Sequence, residues 1–198
     1  MKKGLLIVLS LLLVTGIHAQ IKYELGARAG LNLSTQTTKG AATNVVSELK
    51  EGVHAGAYGT FFFFEKLAAQ LEIIWSQKGS KWSDPYFAGK DNLSYIDIPV
   101  LIRFQVLDRV NVHAGPQFSF MTGAKQIPDG EDAIDATGYY KNSDFGVLVG
   151  AELNLYRKLS IAIKFVEGFS VTTEPSYYID QWMNRVIQVS LSYALLSN

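Results

Sequence analysis

Seven charged residues interrupt segments that otherwise alternate apolar with small residues: Glu24, Arg28, Glu72, Asp97, Arg103, Glu152 and Lys164. Each falls in the polar row of a two-residue period. Acids and bases gathered this way can line a transport path or a catalytic cluster, or can pair structurally where side chains leave water. The two signs are nearly balanced, as pairing requires. Pairing is therefore the expectation, because an unpaired buried charge is costly. His54 and His113 stand in the same kind of row. With a carboxylate they could serve a hydrolase or hold a metal. They lie on non-adjacent segments, however, and no third ligand stands at an obvious spacing. Neither G-x-S-x-G nor H-E-x-x-H occurs. The expectation is no catalytic, metal or cofactor site, and no enzyme activity.

Two further groups look chemical and are better read otherwise. The glycines at 26, 30, 52, 56, 115, 146 and 150 lie within alternating segments, not between a strand and a helix. They relieve crowding in a curved sheet and do not cradle phosphate. Asp129, Glu131, Asp132 and Asp135 form an acidic stretch without the spacing of a calcium loop. It reads as a solvated loop.

The elements that position these residues follow from period-two alternation, the mark of a strand with two unlike faces. In "YIDIPVLIRF" one row is Ile96, Ile98, Val100, Ile102 and Phe104. The other is Tyr95, Asp97, Pro99, Leu101 and Arg103. The same pattern occupies Lys22 to Leu33, Glu51 to Phe63, Leu67 to Lys78, Val110 to Met121, Asp144 to Leu155, a segment beginning at Leu159, and Arg185 to Leu195. Connections at Phe64–Lys66, Leu107–Arg109 and Tyr156–Lys158 are tight. Those at Ser34–Lys50, Gly79–Ser94, Gly123–Ser143 and Gly168–Asn184 are long and polar. Eight strands with short turns at one end and long loops at the other form the layout of an outer-membrane barrel.

The N-terminus agrees. Lys2 and Lys3 precede a short apolar run from Leu5 to Val14, and Ala19 stands before Gln20. This is a secretory signal peptide by layout, with residues 1–19 removed and residues 20–198 left as one barrel domain. The chain has 198 residues, zero formal net charge and no cysteine. Zero charge gives no reason to expect nucleic acid. Absence of cysteine excludes a disulfide framework and a thiolate metal site.

Alternation alone also fits a soluble, secreted, lipocalin-like ligand-binding barrel with its apolar row inside. Two features favour the inverted arrangement. The polar row is rich in Gly, Ser, Ala, Gln and Asn, which suits a crowded interior. The aromatics also sort by depth. Tyr23, Phe61, Phe63, Phe104 and Tyr193 fall at the short-turn end. Trp75, Phe118, Phe120, Phe145, Phe165 and Trp182 fall at the other, with aliphatic residues between. Two aromatic girdles around an aliphatic band are what a bilayer selects.

The stretches "LEIIWSQKGSKW", "YIDIPVLIRF", "VHAGPQFSF", "DFGVLVGAEL" and "NRVIQVSLSY" resemble the PorT-like outer-membrane β-barrel domain family of Bacteroidota. The resemblance runs from about Tyr23 to Tyr193. Its most specific parts are Ser76-Gln77-Lys78-Gly79 and Ile98-Pro99. The chain departs from it at its end, Ala194 to Asn198, where similar proteins often finish on an aromatic. The resemblance implies location and architecture and no substrate.

The expectation is thus an all-β, eight-stranded, antiparallel up-and-down transmembrane barrel in the outer membrane of a Gram-negative bacterium. Its role is structural or interactive. Its partners are outer-membrane lipid and, through the long loops, another envelope or extracellular protein. The rival readings are the soluble barrel and a small lipid-modifying membrane enzyme using His54 or His113. Pro99 and Pro116 each remove a ladder donor, so a bulge or gap is expected where Pro99 faces about Gly115–Gln117.

Overall fold

The computed structural model describes residues 22–39, 46–83, 88–173 and 181–198. The expected signal segment, residues 1–19, lies outside them. The described strands are β1 (Lys22–Lys39), β2 (Val46–Glu48), β3 (Lys50–Phe62), β4 (Leu67–Lys78), β5 (Lys81–Ser83), β6 (Ala88–Leu107), β7 (Val110–Pro128), β8 (Ile134–Asp135), β9 (Ser143–Tyr156), β10 (Leu159–Gly168) and β11 (Gln181–Ser197).

The eight long strands β1, β3, β4, β6, β7, β9, β10 and β11 each pair antiparallel with the next. β1 pairs with β11 from Glu24 opposite Ser197 to Lys39 opposite Gln181, which closes the ring. Closure leaves no free edge along the barrel wall. Register partners followed around the ring from Tyr23 run through Phe61, Ala69, Ile102, Ala114, Val149, Phe165 and Ile187. They return to β1 at Leu33, ten residues further along. This stagger is what tilts barrel strands against the axis, and eight strands leave an interior that side chains can fill.

The two rows lie inside out relative to a water-soluble protein. Val100, Ile102 and Phe104 are exposed, while Asp97, Leu101 and Arg103 are buried. On β10, Ile163 is 56% exposed and its neighbour Lys164 only 2%. Exposed apolar rows continue around all eight strands. A contiguous belt of this size is a lipid surface, because water would penalise it heavily. Among the described residues no helix is long and apolar enough to cross a membrane. The crossing is made by strands.

The expected girdle aromatics point outward with one exception. Phe61, Phe63, Phe104 and Tyr193 are exposed at the short-turn end. Trp75, Phe118, Phe120, Phe145 and Phe165 are exposed toward the loops, with the Phe118 and Phe145 rings 5.3 Å apart. Trp182 instead shares the inward row with Asn184 and Val186, and its carbonyl accepts the Thr172 amide at 2.8 Å.

The long loops differ from expectation because they carry sheet. β1 runs on to Lys39, β6 starts at Ala88, β7 continues to Pro128 and β11 starts at Gln181. β2 and β5 pair beside β6, and β8 pairs with β7. Above the bilayer both faces of a strand can meet water, so backbone pairing continues while the apolar alternation that betrays it stops. The β7–β9 connection then folds back. Ala136 and Tyr140 bury against Leu93, Tyr95 and Ala124, and Tyr140 bridges to Thr173.

The prolines interrupt two ladders. β6 and β7 are paired at Pro99–Gln117 and again at Ile102–Ala114, with no pairing between. This is the expected gap, and it faces Pro116. A second gap lies on the other side of β6, between Leu71–Val100 and Ile74–Asp97, where Pro99 stands opposite Glu72 by register. Each proline thus withholds its donor from a different neighbour.

Candidate functional site

Inward-facing charges from five strands meet in the lumen. Arg28, on β1, donates through Nη1 to Glu72 Oε1 on β4 at 2.7 Å and through Nη2 to Glu152 Oε2 on β9 at 2.6 Å. Its Nε donates to Ser192 at 2.8 Å, and its guanidinium lies 5.2 Å from the Tyr58 ring centre. Glu72 also accepts Lys164 Nζ, from β10, on both oxygens at 2.7 and 2.6 Å. Gln70 Nε2 adds a further donor at 2.5 Å. Glu152 meets Arg103 Nη2, from β6, at 2.8 Å. Arg103 Nη1 approaches Glu24 at 3.8 Å, and the Tyr58 hydroxyl donates to Glu24 at 3.1 Å.

This layer holds three cations, Arg28, Arg103 and Lys164, and three acids, Glu24, Glu72 and Glu152. Five of the six are deeply buried, and Glu24 sits toward the short-turn end with its side chain 25% exposed. Removal from water strengthens each pair and makes the loss of one partner expensive. The small residues of the inward row make room for it. A Cβ on Gly150 would stand 2.6 Å from His113 Nε2 and 2.9 Å from Lys164 Cγ. A larger residue there would displace both.

Asp97 lies apart from this layer. Its partner is Lys78, Nζ to Oδ1 at 2.7 Å, a cation at the top of β4 that the sequence reading had not placed with the charges. Lys78 also donates to Ser119 at 3.2 Å, and its ammonium lies 4.7 Å from the Tyr95 ring centre. The signal was present, since Lys78 ends the polar row of its segment. Its pairing needed the β4–β6 register, which puts it opposite Leu93.

The two histidines lie apart, and neither is hydrogen-bonded to a carboxylate among the described residues. His54 shares Nδ1 with Asn32 Oδ1 and Nε2 with Ser190 Oγ, both at 2.8 Å. That holds it as a neutral strut between β3, β1 and β11. His113 is buried opposite Gly150. Among the described residues no group of three or more His, Cys, Asp or Glu side chains is placed to hold a metal. In the outer loop, Asp135 Oδ1 accepts the Thr137 amide at 2.9 Å and its hydroxyl at 2.7 Å. These bonds hold its carboxyl below the usual range.

Comparison with curated proteins finds no match. Among solved structures the chain is similar to Neisserial surface protein A, with a TM-score of 0.55, 10% identity, and 85% of this chain and 96% of that one covered. It is also similar to Ail, the attachment invasion locus protein of Yersinia pestis, solved with the heparin analogue sucrose octasulfate. There the TM-score is 0.52 at 11% identity, covering 88% of this chain and 99% of that one. At such identities the likeness is one of fold. The model of the outer membrane protein beta-barrel domain matches residues 18–174. With its lipid-facing belt and closed ring of strands, the chain belongs to that outer-membrane β-barrel domain family and resides in the outer membrane.

Proposed function

We propose that this protein is a small outer-membrane barrel with a sealed, side-chain-filled lumen, and that its role is structural or interactive through its outer loops. The observation that carries the reading is the Arg28–Glu72–Lys164 and Arg28–Glu152–Arg103 array. It links strands from all sides of the ring with ion pairs of 2.6–2.8 Å. Such pairs occupy the space a water-filled pore would need. The reading includes cleavage of residues 1–19, a PorT-like identity within the family, and no enzymatic role. The burial of the His54–Ser190 pair supports the last point, because a substrate has no access to that hydroxyl. The partners are outer-membrane lipid and, at the loops, an envelope or extracellular protein, with no nucleic acid.

Single-channel recording in a planar bilayer tests the sealed lumen. The refolded monomer should show no stable conductance. Reproducible openings would replace the structural reading with transport.

A further inference from the structure

The lumen holds a second charged cluster above the neutral layer, and its charges do not cancel. Asp97 and Asp144 are both register partners of Ser119, one on each side of β7. All three side chains are buried and point inward. Two strand spacings separate the aspartate backbones by roughly 9–10 Å. The inward curve of a small barrel brings their carboxylates closer than that. Lys78 reaches in from β4 to Asp97 Oδ1 and Ser119 Oγ at 2.7 and 3.2 Å. Asn184 Nδ2 donates to Asp144 Oδ2 at 2.9 Å. One ammonium thus serves two carboxylates. Nearer the mouth, the buried Lys50 and Asp91 oppose each other while Lys90 stands exposed to solvent, and below, the three acids and three cations of the main layer balance.

The unused atoms at this level are all oxygens. Asp97 Oδ2, Asp144 Oδ1 and the Tyr95 hydroxyl are buried and close no hydrogen bond. Tyr95 has no exposed surface. Its ring packs on the Lys78 ammonium; Asn184 lies within bonding reach of its hydroxyl, and Asp144 and Asp97 both act on it electrostatically. A buried carboxylate oxygen without a donor is costly, and one surplus negative charge more so. Three hard oxygen donors with one net negative charge suit an alkali cation. A divalent ion would leave an excess positive charge beside Lys78. Asp144 is 7% exposed, the most accessible of the cluster, and lies on the loop side of the lumen, where an ion enters from outside.

We propose that Asp97 Oδ2, Asp144 Oδ1 and the Tyr95 hydroxyl form a binding site for one monovalent metal cation, with sodium as the matching ion.

The test uses the whole barrel refolded in detergent, with sodium chloride compared against choline chloride at equal ionic strength. Choline screens charge equally and is too large for the site. Sodium should raise the unfolding midpoint of the wild type by about 2–4 °C or more over choline. Asp144→Asn should abolish the difference. Lys78→Met removes the internal counter-charge, so the preference should shift from sodium to calcium. Relaxation of the sodium nucleus in the presence of wild-type protein gives a second reading that does not depend on a variant folding. Broadening that excess choline leaves in place supports the site. Equal midpoints in sodium and choline, with no broadening, would overturn the proposal and leave water or a shared proton as the occupant of this space. A sodium effect undiminished in Asp144→Asn would overturn it as well.

Discussion

Lys164 and Glu72 grip each other at 2.6 Å across the full width of the barrel. β10 and β4 stand four places apart in the ring of eight, so the pair spans the lumen as a strut. Glu72 also receives Arg28, and Glu152 holds both Arg28 and Arg103.

Removing Glu72 alone should therefore be severe. Glu72→Ala leaves Lys164 without a carboxylate at bonding distance and Arg28 with only one, at a cost of about 3–5 kcal/mol. The double change Glu72→Met with Lys164→Met should cost less than Glu72→Ala, since it removes the charges together and Arg28 keeps Glu152. Urea unfolding in detergent, followed by the gel shift of the heated barrel, checks the order. A double variant weaker than the single one would mean that packing, not charge, dominates this layer.

The lipid face gives a depth-dependent prediction. Val149 and Ile163 lie mid-band and are 48% and 56% exposed. Arginine at either should destabilise insertion by about 2–4 kcal/mol. At Tyr23, near the short-turn end, the same change should cost about 0–1 kcal/mol because the side chain reaches the interface. Folding titrations into lipid vesicles measure both, and equal costs at all depths would place no bilayer around this face.

The ladder gap at Pro116 is open to repair. Pro116 is exposed on the outer face, and Val100 lies opposite it by register in the unpaired stretch. Pro116→Val supplies an amide for the Val100 carbonyl. The bond should contribute about 1 kcal/mol, offset by about 0.4–1 kcal/mol of lost chain rigidity. Stability should barely change, while the new amide at position 116 should resist hydrogen exchange. Rapid exchange there would show that the gap has another cause.

What the sequence made legible follows from what alternation records. The inward placement of Glu24, Arg28, Glu72, Arg103, Glu152 and Lys164 was readable because each shares a row with glycines and serines. Which acid meets which base was not, because that depends on the ten-residue stagger of the ring, and stagger is set by pairings between distant strands. Lys78 shows the limit. Its row was plain, yet its bond to Asp97 required the β4–β6 register. The proline gap was found by counting residues back from the Leu107–Arg109 turn, a local measure. The second gap, opposite Glu72, was missed because β4 is reached only through a long loop. Strand beyond the bilayer left no trace in hydropathy, since Lys90 pairs with β7 while facing water and Asn92 pairs there half-buried.

One tight turn stores strain that can be relieved. Arg157 adopts φ 44°, a left-handed conformation disfavoured for any side chain. Glycine there avoids a cost of about 1–2 kcal/mol and loses about 0.5–1 kcal/mol through its freer unfolded chain. Arg157→Gly should therefore stabilise the barrel by roughly 0.5–1 kcal/mol, read as a higher urea midpoint. The change also deletes the stacking of Arg157 on Tyr156, 5.2 Å from the ring centre, an exposed contact worth little by comparison.

Asp135 ties the outer loop down, and acid should release it. Its Oδ1 accepts the amide and hydroxyl of Thr137, and the Thr137 hydroxyl in turn accepts the Ala124 amide of β7 at 3.1 Å. This chain starts the short 3-10 turn Thr137–Tyr139 and sets Ala136 and Tyr140 in their buried places. The two bonds to Thr137 lower the Asp135 carboxyl below its unfolded value of 3.8. A lowered acid stabilises the fold above the unfolded value, and the gain is lost as pH falls through the folded one. Amide exchange at Tyr139 and Tyr140 should therefore accelerate below about pH 4 beyond the intrinsic trend, while the barrel wall remains protected. Asp135→Asn should show fast exchange at neutral pH and lose the acid transition, since its amide oxygen is a weaker acceptor than a carboxylate. Thr137→Val removes the hydroxyl and should also loosen the loop. A transition that persists unchanged in Asp135→Asn would assign the loop's acid response to another carboxylate.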